Sequence, residues 1–142
     1  MSDQHSLLLD TSAVIDLERL DEQRIADVLG CRPGDLRPAI SSISMAELAA
    51  GPHAAKAADT RAVRQAVLQW AESTFDPIPF DTDAARAYGI IYALVLDLGR
   101  QPRKRLADLL IASVAAANSL PLVTRNPDDF AGLESQIQVI AA

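Results

Sequence analysis

The chain has 142 residues, 49% of them apolar, 4% aromatic and 23% charged, and a formal net charge of −6. That length fits a single domain over residues 1–142, with roughly two-thirds of the unfolded surface buried in an aliphatic, helix-rich core. The acidic balance excludes nucleic-acid binding through a broad basic face, but it leaves open a metal-dependent enzyme acting on nucleic acid, because bound cations reverse the local field.

The opening "MSDQHS" lacks a basic region followed by an apolar stretch, so no signal peptide is expected. Residues 6–9 are continuously apolar rather than alternating after Ser6, which predicts a short strand buried on both faces. Thr11 or Ser12 is placed to cap the next helix, with Val14, Leu17 and Leu20 inward. A second helix is expected over about 21–29, ending at Gly30, and "GCRPGDLRP" reads as a loop. It holds the only cysteine, Cys31, which cannot close an internal disulfide and fits a reducing compartment.

Residues 38–42 predict a second strand, and Ser44 is placed to cap a helix through "MAELAAG" that Gly51 stops. Residues 60–75 predict an amphipathic helix with Val63, Val67, Trp70 and Ala71 at helical spacing. "IPF" at 78–80 predicts a brief strand, and Thr82 is expected to cap a long helix to Leu98 that Gly99 ends. That helix is apolar nearly all round ("YGIIYALVL"), so it is expected to be central or covered by another subunit. A basic loop, "GRQPRKR", leads into a helix over 106–118, a strand "LPLVT", a turn "RNPDDF" and a last strand "IQVIA". The longest uncharged run, 109–124, is interrupted by Asn118, Ser119 and Pro121 and too short to span a bilayer, so a cytoplasmic protein with no membrane contact is expected. Short strands alternating with helices predict an α/β fold, a parallel sheet with helices on both faces.

Ligands of such sheets bind outside the carboxyl ends of the strands. Asp10 stands at one, directly after the first strand. Its plain alternative is a helix cap, weakened because Thr11 and Ser12 are both competent for that task. Glu47 has S-x-x-E spacing from Ser44, a capping box that explains it structurally. Asp108 suits the dipole at a helix start, yet among Leu106, Leu109 and Leu110 an unpaired buried carboxylate is costly, and projection into a cleft accounts for it better. Asn126, Asp128 and Asp129 can build an Asx turn with Pro127, but their loop leaves a strand on the same sheet edge as Asp10. Carboxylates gathered there would repel by about 4 kcal/mol per pair at about 4 Å and an effective dielectric near 20. Raised pKa values or a bound cation relieve that repulsion, and oxygen donors without cysteine or histidine suit Mg²⁺ or Mn²⁺. His5 and His53 read as surface residues, so zinc is not expected.

"LLLDTSAVIDL", "SISMAELAAG", "RKRLADLLIAS" and "LVTRNPDDF" resemble, in order and spacing, the motifs of the PIN-domain ribonucleases, and more narrowly the VapC toxins of bacterial toxin–antitoxin pairs. The resemblance runs over about 7–130 and implies a three-layer α/β/α sandwich on a five-stranded, short-stranded parallel sheet. It implies catalytic roles for Asp10, Glu47, Asp108 and Asp129, with Asp10 and Asp108 on one or two Mg²⁺ ions (Mn²⁺ as substitute). Asn126 belongs to the last corner, where the extra Asp128 leaves open which aspartate faces the metal. Thr11 or Ser12 would be the supporting hydroxyl, and Arg125 either lies near the scissile phosphate or is an ordinary surface arginine. Arg103, Lys104 and Arg105 are candidates to contact RNA, or form a solvated loop.

A VapB-like antitoxin is the implied partner, with the helices over 60–75 and 82–98 offering surfaces to it or to a homodimer. A haloacid-dehalogenase phosphatase needs a second aspartate where "DTS" has serine, and a receiver domain needs an acidic pair this chain lacks. A silent PIN-like module that only binds a partner is the remaining alternative.

Overall fold

Three consecutive leucines escape water on both sides only inside a covered sheet. In the computed structural model, which describes residues 4–142, Leu7–Leu9 forms that strand, β1, buried throughout. Met1–Asp3, on which the expectation of no leader partly rests, lie outside the described residues.

After β1 come α1 (Thr11–Ile15), a 3-10 turn (Leu17–Arg19), α2 (Glu22–Leu29) and β2 (Pro38–Ile40). Three helices follow, α3 (Ser42–Ala54), α4 (Ala58–Thr74) and α5 (Thr82–Asp97). A 3-10 turn (Pro102–Arg105) then enters α6 (Leu106–Ala117), and β3 (Leu122–Thr124), a 3-10 turn (Pro127–Phe130) and β4 (Val139–Ala141) close the chain. The sheet is wholly parallel, in the order β2-β1-β3-β4.

Side chains alternate across each strand. Leu8, Ala39 and Leu122 pack with Ile91 and Val95 of α5 and Ile111 of α6. Leu7, Leu9, Ile40 and Val123 pack on the other face with residues of α1 to α4, including Val14, Ile25, Leu48 and Leu68. This is the expected three-layer α/β/α sandwich. The implied fifth strand is not formed among the described residues: "IPF" is reduced to a single bridge, Ser41 to Ile78, because the flanking Pro77 and Pro79 have no amide to extend a ladder.

Three caps fall one to three residues before the expected positions. Asp10 rather than Thr11 or Ser12 caps α1, Ser41 rather than Ser44 caps α3, and Asp81 rather than Thr82 caps α5. In each case the extended residue before the first helical turn accepts the amide three residues on. Gly51 does not stop α3, which continues through Pro52; there α4 packs alongside and Arg64 donates to the Gly51 carbonyl at 3.0 Å. α1 ends before Leu17 and Leu20, which are only partly buried. On α4 the buried stripe is Leu68 and Ala71, while Val63 is 64% exposed. α5 packs one face on α6 and leaves Ile90 and Leu96 open. Among the described residues no helix is long and apolar enough to cross a membrane.

Candidate active site

β1 sits between β2 and β3, so the chain moves to one side after β1 and later returns on the other. This reversal opens a crevice at the carboxyl ends of β1 and β3. Asp10 ends β1 and Thr124 ends β3.

Asp10 is 4% exposed, a burial that its hydrogen bonds make tolerable. Its Oδ1 accepts from the Ala13 amide at 2.9 Å and from Ser12 Oγ at 2.7 Å, and its Oδ2 accepts from Thr124 Oγ1 at 2.6 Å. Asp10 is thus the cap of α1, and its charge also bears on Asp108. Thr124 itself accepts the Asn126 amide, and Ser12 accepts the Arg125 amide, so the two strand ends are tied together.

Glu47 lies in the second turn of α3, too far along for the capping box expected with Ser44. Ser44 is buried, and Glu47 reaches across to α1, where Thr11 Oγ1 donates to its Oε1 while standing 3.1 Å from Ser44 Oγ.

Asp108 lies in the first turn of α6. Burial pushes its carboxyl up to about 6, with the charges of Asp129, Asp10 and Glu47 adding and Arg105 opposing. Three carboxylates far from one another in sequence thus bear on Asp108. Asp129, half-buried on the turn after β3, is ion-paired with Arg105. Asp128 is exposed, so Asp129 is the member of the doubled pair whose charge bears on Asp108.

The remaining candidates are more peripheral. Asn126 is exposed and begins the turn without a side-chain cap. Arg125 is engaged near the turn after α1, donating to the Arg19 carbonyl at 3.2 Å and standing 3.8 Å from Asp16. Arg103 and Lys104 are exposed, as are His5 and His53. Sequence reasoning passed over Thr124 and the link from Ser44 to Thr11; a hydroxyl ending an apolar strand beside the Asp10 strand was the available signal.

The donor set suits a hard divalent ion: oxygen only, several acids, no histidine or cysteine. Among the described residues no three acidic, histidine or cysteine side chains stand close enough together to grip an ion as they are arranged. Asp129 is drawn onto Arg105 and Glu47 onto Thr11.

Comparison with known proteins gives consistent results. The family model described as PIN domain matches residues 7–134. Ribonuclease VapC5 of Mycobacterium tuberculosis is 38% identical over 135 residues, 93% of this chain and 90% of that protein. Among solved structures, VapBC-5 of the toxin–antitoxin systems of Mycobacterium tuberculosis matches with a TM-score of 0.79 and 35% identity, covering 98% of this chain and 100% of the other. VapBC2 from Rickettsia felis, bound to a DNA fragment from its promoter, matches with a TM-score of 0.71 and 25% identity, covering 96% and 98%.

Proposed function

The chain belongs to the PIN-domain family, and from that premise we propose that it is an endoribonuclease, the toxin of a VapBC-type toxin–antitoxin pair, with Mg²⁺ or Mn²⁺ as its cofactor. The observation that carries this reading is the placement of Asp108 at the start of α6, half-buried and within reach of the charges of Asp129, Asp10 and Glu47. A carboxyl perturbed by burial together with specific charged neighbours marks a candidate catalytic or metal-binding group.

Asp10 and Asp108 would hold the ion, with Asp129 completing the set once released from Arg105. When bound, the ion polarises the scissile phosphate and favours attack by water. Ser12, the Ala13 amide and Thr124 keep Asp10 in one orientation, which spares the site reorganisation during the reaction. Glu47, tethered by Thr11 and open to solvent, orients the attacking water or takes its proton. Arg103 and Lys104, exposed beside the α6 entrance, hold the RNA backbone.

The partner is a VapB-like antitoxin, acting in the cytoplasm, whose terminal segment covers the acidic crevice. Val63 and Trp70 on α4 and Ile90 and Leu96 on α5 offer apolar surface to it and to a second copy of the chain. Brief expression followed by sequencing of RNA ends tests the function. Discrete new ends are expected, absent with Asp10→Asn and absent in vitro when EDTA removes the divalent ion. A wild-type chain that produces no cuts with Mg²⁺ or Mn²⁺ would instead favour the silent module.

A further inference from the structure

Three cations, Arg103, Lys104 and Arg105, precede α6. Positive charge at a helix N-terminus opposes the helix dipole, so local structure does not favour it there. Arg105 is the residue immediately before the helix and makes no capping hydrogen bond with its side chain. Its guanidinium goes instead to Asp129 on the turn after β3, and its charge opposes those of the acids around Asp108. The side chains of this pair are 46% and 32% exposed. An ion pair so open to water contributes little to stability and is easily exchanged.

Arg105 also lines a cavity of about 530 Å³ together with Arg100, Gln101, Lys104, Asp128 and Asp129. Arg100 is anchored to the Ala131 carbonyl at 3.4 Å. The cavity therefore adjoins the acidic crevice, with Arg105 and Asp129 bordering both. A planar fork of donors matches a phosphate diester as well as it matches a carboxylate.

Resting on the ribonuclease reading above, we propose that Arg105 is an exchangeable counter-ion of the acidic centre: it occupies Asp129 while the site is empty and moves to an RNA backbone phosphate at the adjoining cavity when a divalent ion takes its place. Arg105 and the cation thus compete for Asp129, and Arg105 and the cation cooperate on RNA. An ordinary surface ion pair would show neither relation, and an ordinary RNA-gripping arginine would show only the second.

The two relations have opposite signs under one substitution, which makes them separable. Arg105→Gln should tighten binding of Mn²⁺ to the RNA-free protein by about tenfold, measured by calorimetry or by the Mn²⁺ paramagnetic signal, because it removes the competitor. In an Asp10→Asn background, where RNA is not cleaved, adding Arg105→Gln should weaken RNA retention on filters several-fold and reduce the salt slope by about one phosphate contact. Arg103→Gln removes a neighbouring charge that makes no ion pair among the described residues and should leave Mn²⁺ affinity within about twofold, which excludes a general field effect. Thermal unfolding of Arg105→Gln should match the wild type, since the pair is exposed. Mn²⁺ affinity unchanged or lowered in Arg105→Gln, while the wild type cleaves RNA with Mg²⁺, overturns the counter-ion role and leaves the ribonuclease reading standing. A wild-type protein that binds no Mn²⁺ overturns both.

Discussion

Asp10 and Asp108 face one crevice under different constraints. Asp10 is almost wholly buried and receives three hydrogen bonds, from Ser12, the Ala13 amide and Thr124. Asp108 is only half-buried, and among the described residues nothing donates to its side chain, while burial first and then the charges of Asp129, Asp10 and Glu47 raise its carboxyl to about 6. A carboxylate loses little by burial when donors replace its water, and loses much when they do not. The Asp10 carboxylate has its donors within the fold, whereas a proton or a cation would relieve the cost borne by Asp108.

The largest effects should come from removing each charge in turn. Asp10→Asn and Asp108→Asn should each lower RNA cleavage by more than about a hundredfold, yet their stabilities should diverge. Asp108 binds its proton more tightly in the folded chain than in the unfolded one, so its favourable contribution is present below about pH 4 and is lost as pH rises through about 6. The shift corresponds to about 3 kcal/mol, reduced to about 1–2 kcal/mol by solvent screening. Asp108→Asn should therefore be more stable than wild type by that amount in urea unfolding at about pH 7.5, with the gain gone near pH 4. Asp10→Asn should show no such gain. If both variants gained equally, the contrast between the two sides would be false.

Thr124→Val probes the completed side directly. It removes a donor to Asp10 and the acceptor of the Asn126 amide, both at a buried position. A loss of about 1–3 kcal/mol is expected, with cleavage reduced about tenfold or more as Asp10 loses its fixed orientation. Wild-type cleavage at every Mg²⁺ concentration would show that Asp10 needs no support from β3.

The same contrast explains how much the sequence disclosed. The buried strand, the alternation of strands with helices and the order of the acids were legible because each is a local pattern of apolar and acidic residues. The site roles of the acids come from the family resemblance, and their convergence depends on strand order, which no local pattern encodes. The caps were misplaced because several adjacent hydroxyls and carboxylates compete, and only backbone geometry selects among Asp10, Thr11 and Ser12 or between Ser41 and Ser44. Glu47 was read with the nearest partner in sequence, whereas its hydrogen bond comes from Thr11 on another helix. The Arg105–Asp129 pair had no sequence signal, since a basic run before a helix ordinarily stays in solvent.

Arg125 offers the smallest and most discriminating test. Its motif neighbours Asn126 and Asp129 made it a candidate for the scissile phosphate, but its side chain holds the turn after α1, bonding the Arg19 carbonyl and standing near Asp16. A partly exposed pair at 3.8 Å is worth at most about 1 kcal/mol. Arg125→Gln should therefore cost about 0.5–1 kcal/mol in urea unfolding, with kcat within about twofold of wild type. The backbone amide that Ser12 accepts is untouched by the substitution, so the tie between the two strand ends survives. A fall of about a hundredfold in kcat with unchanged stability would move Arg125 from the frame of the site to the reacting phosphate, and the charge balance of the crevice would have to be redrawn around two arginines.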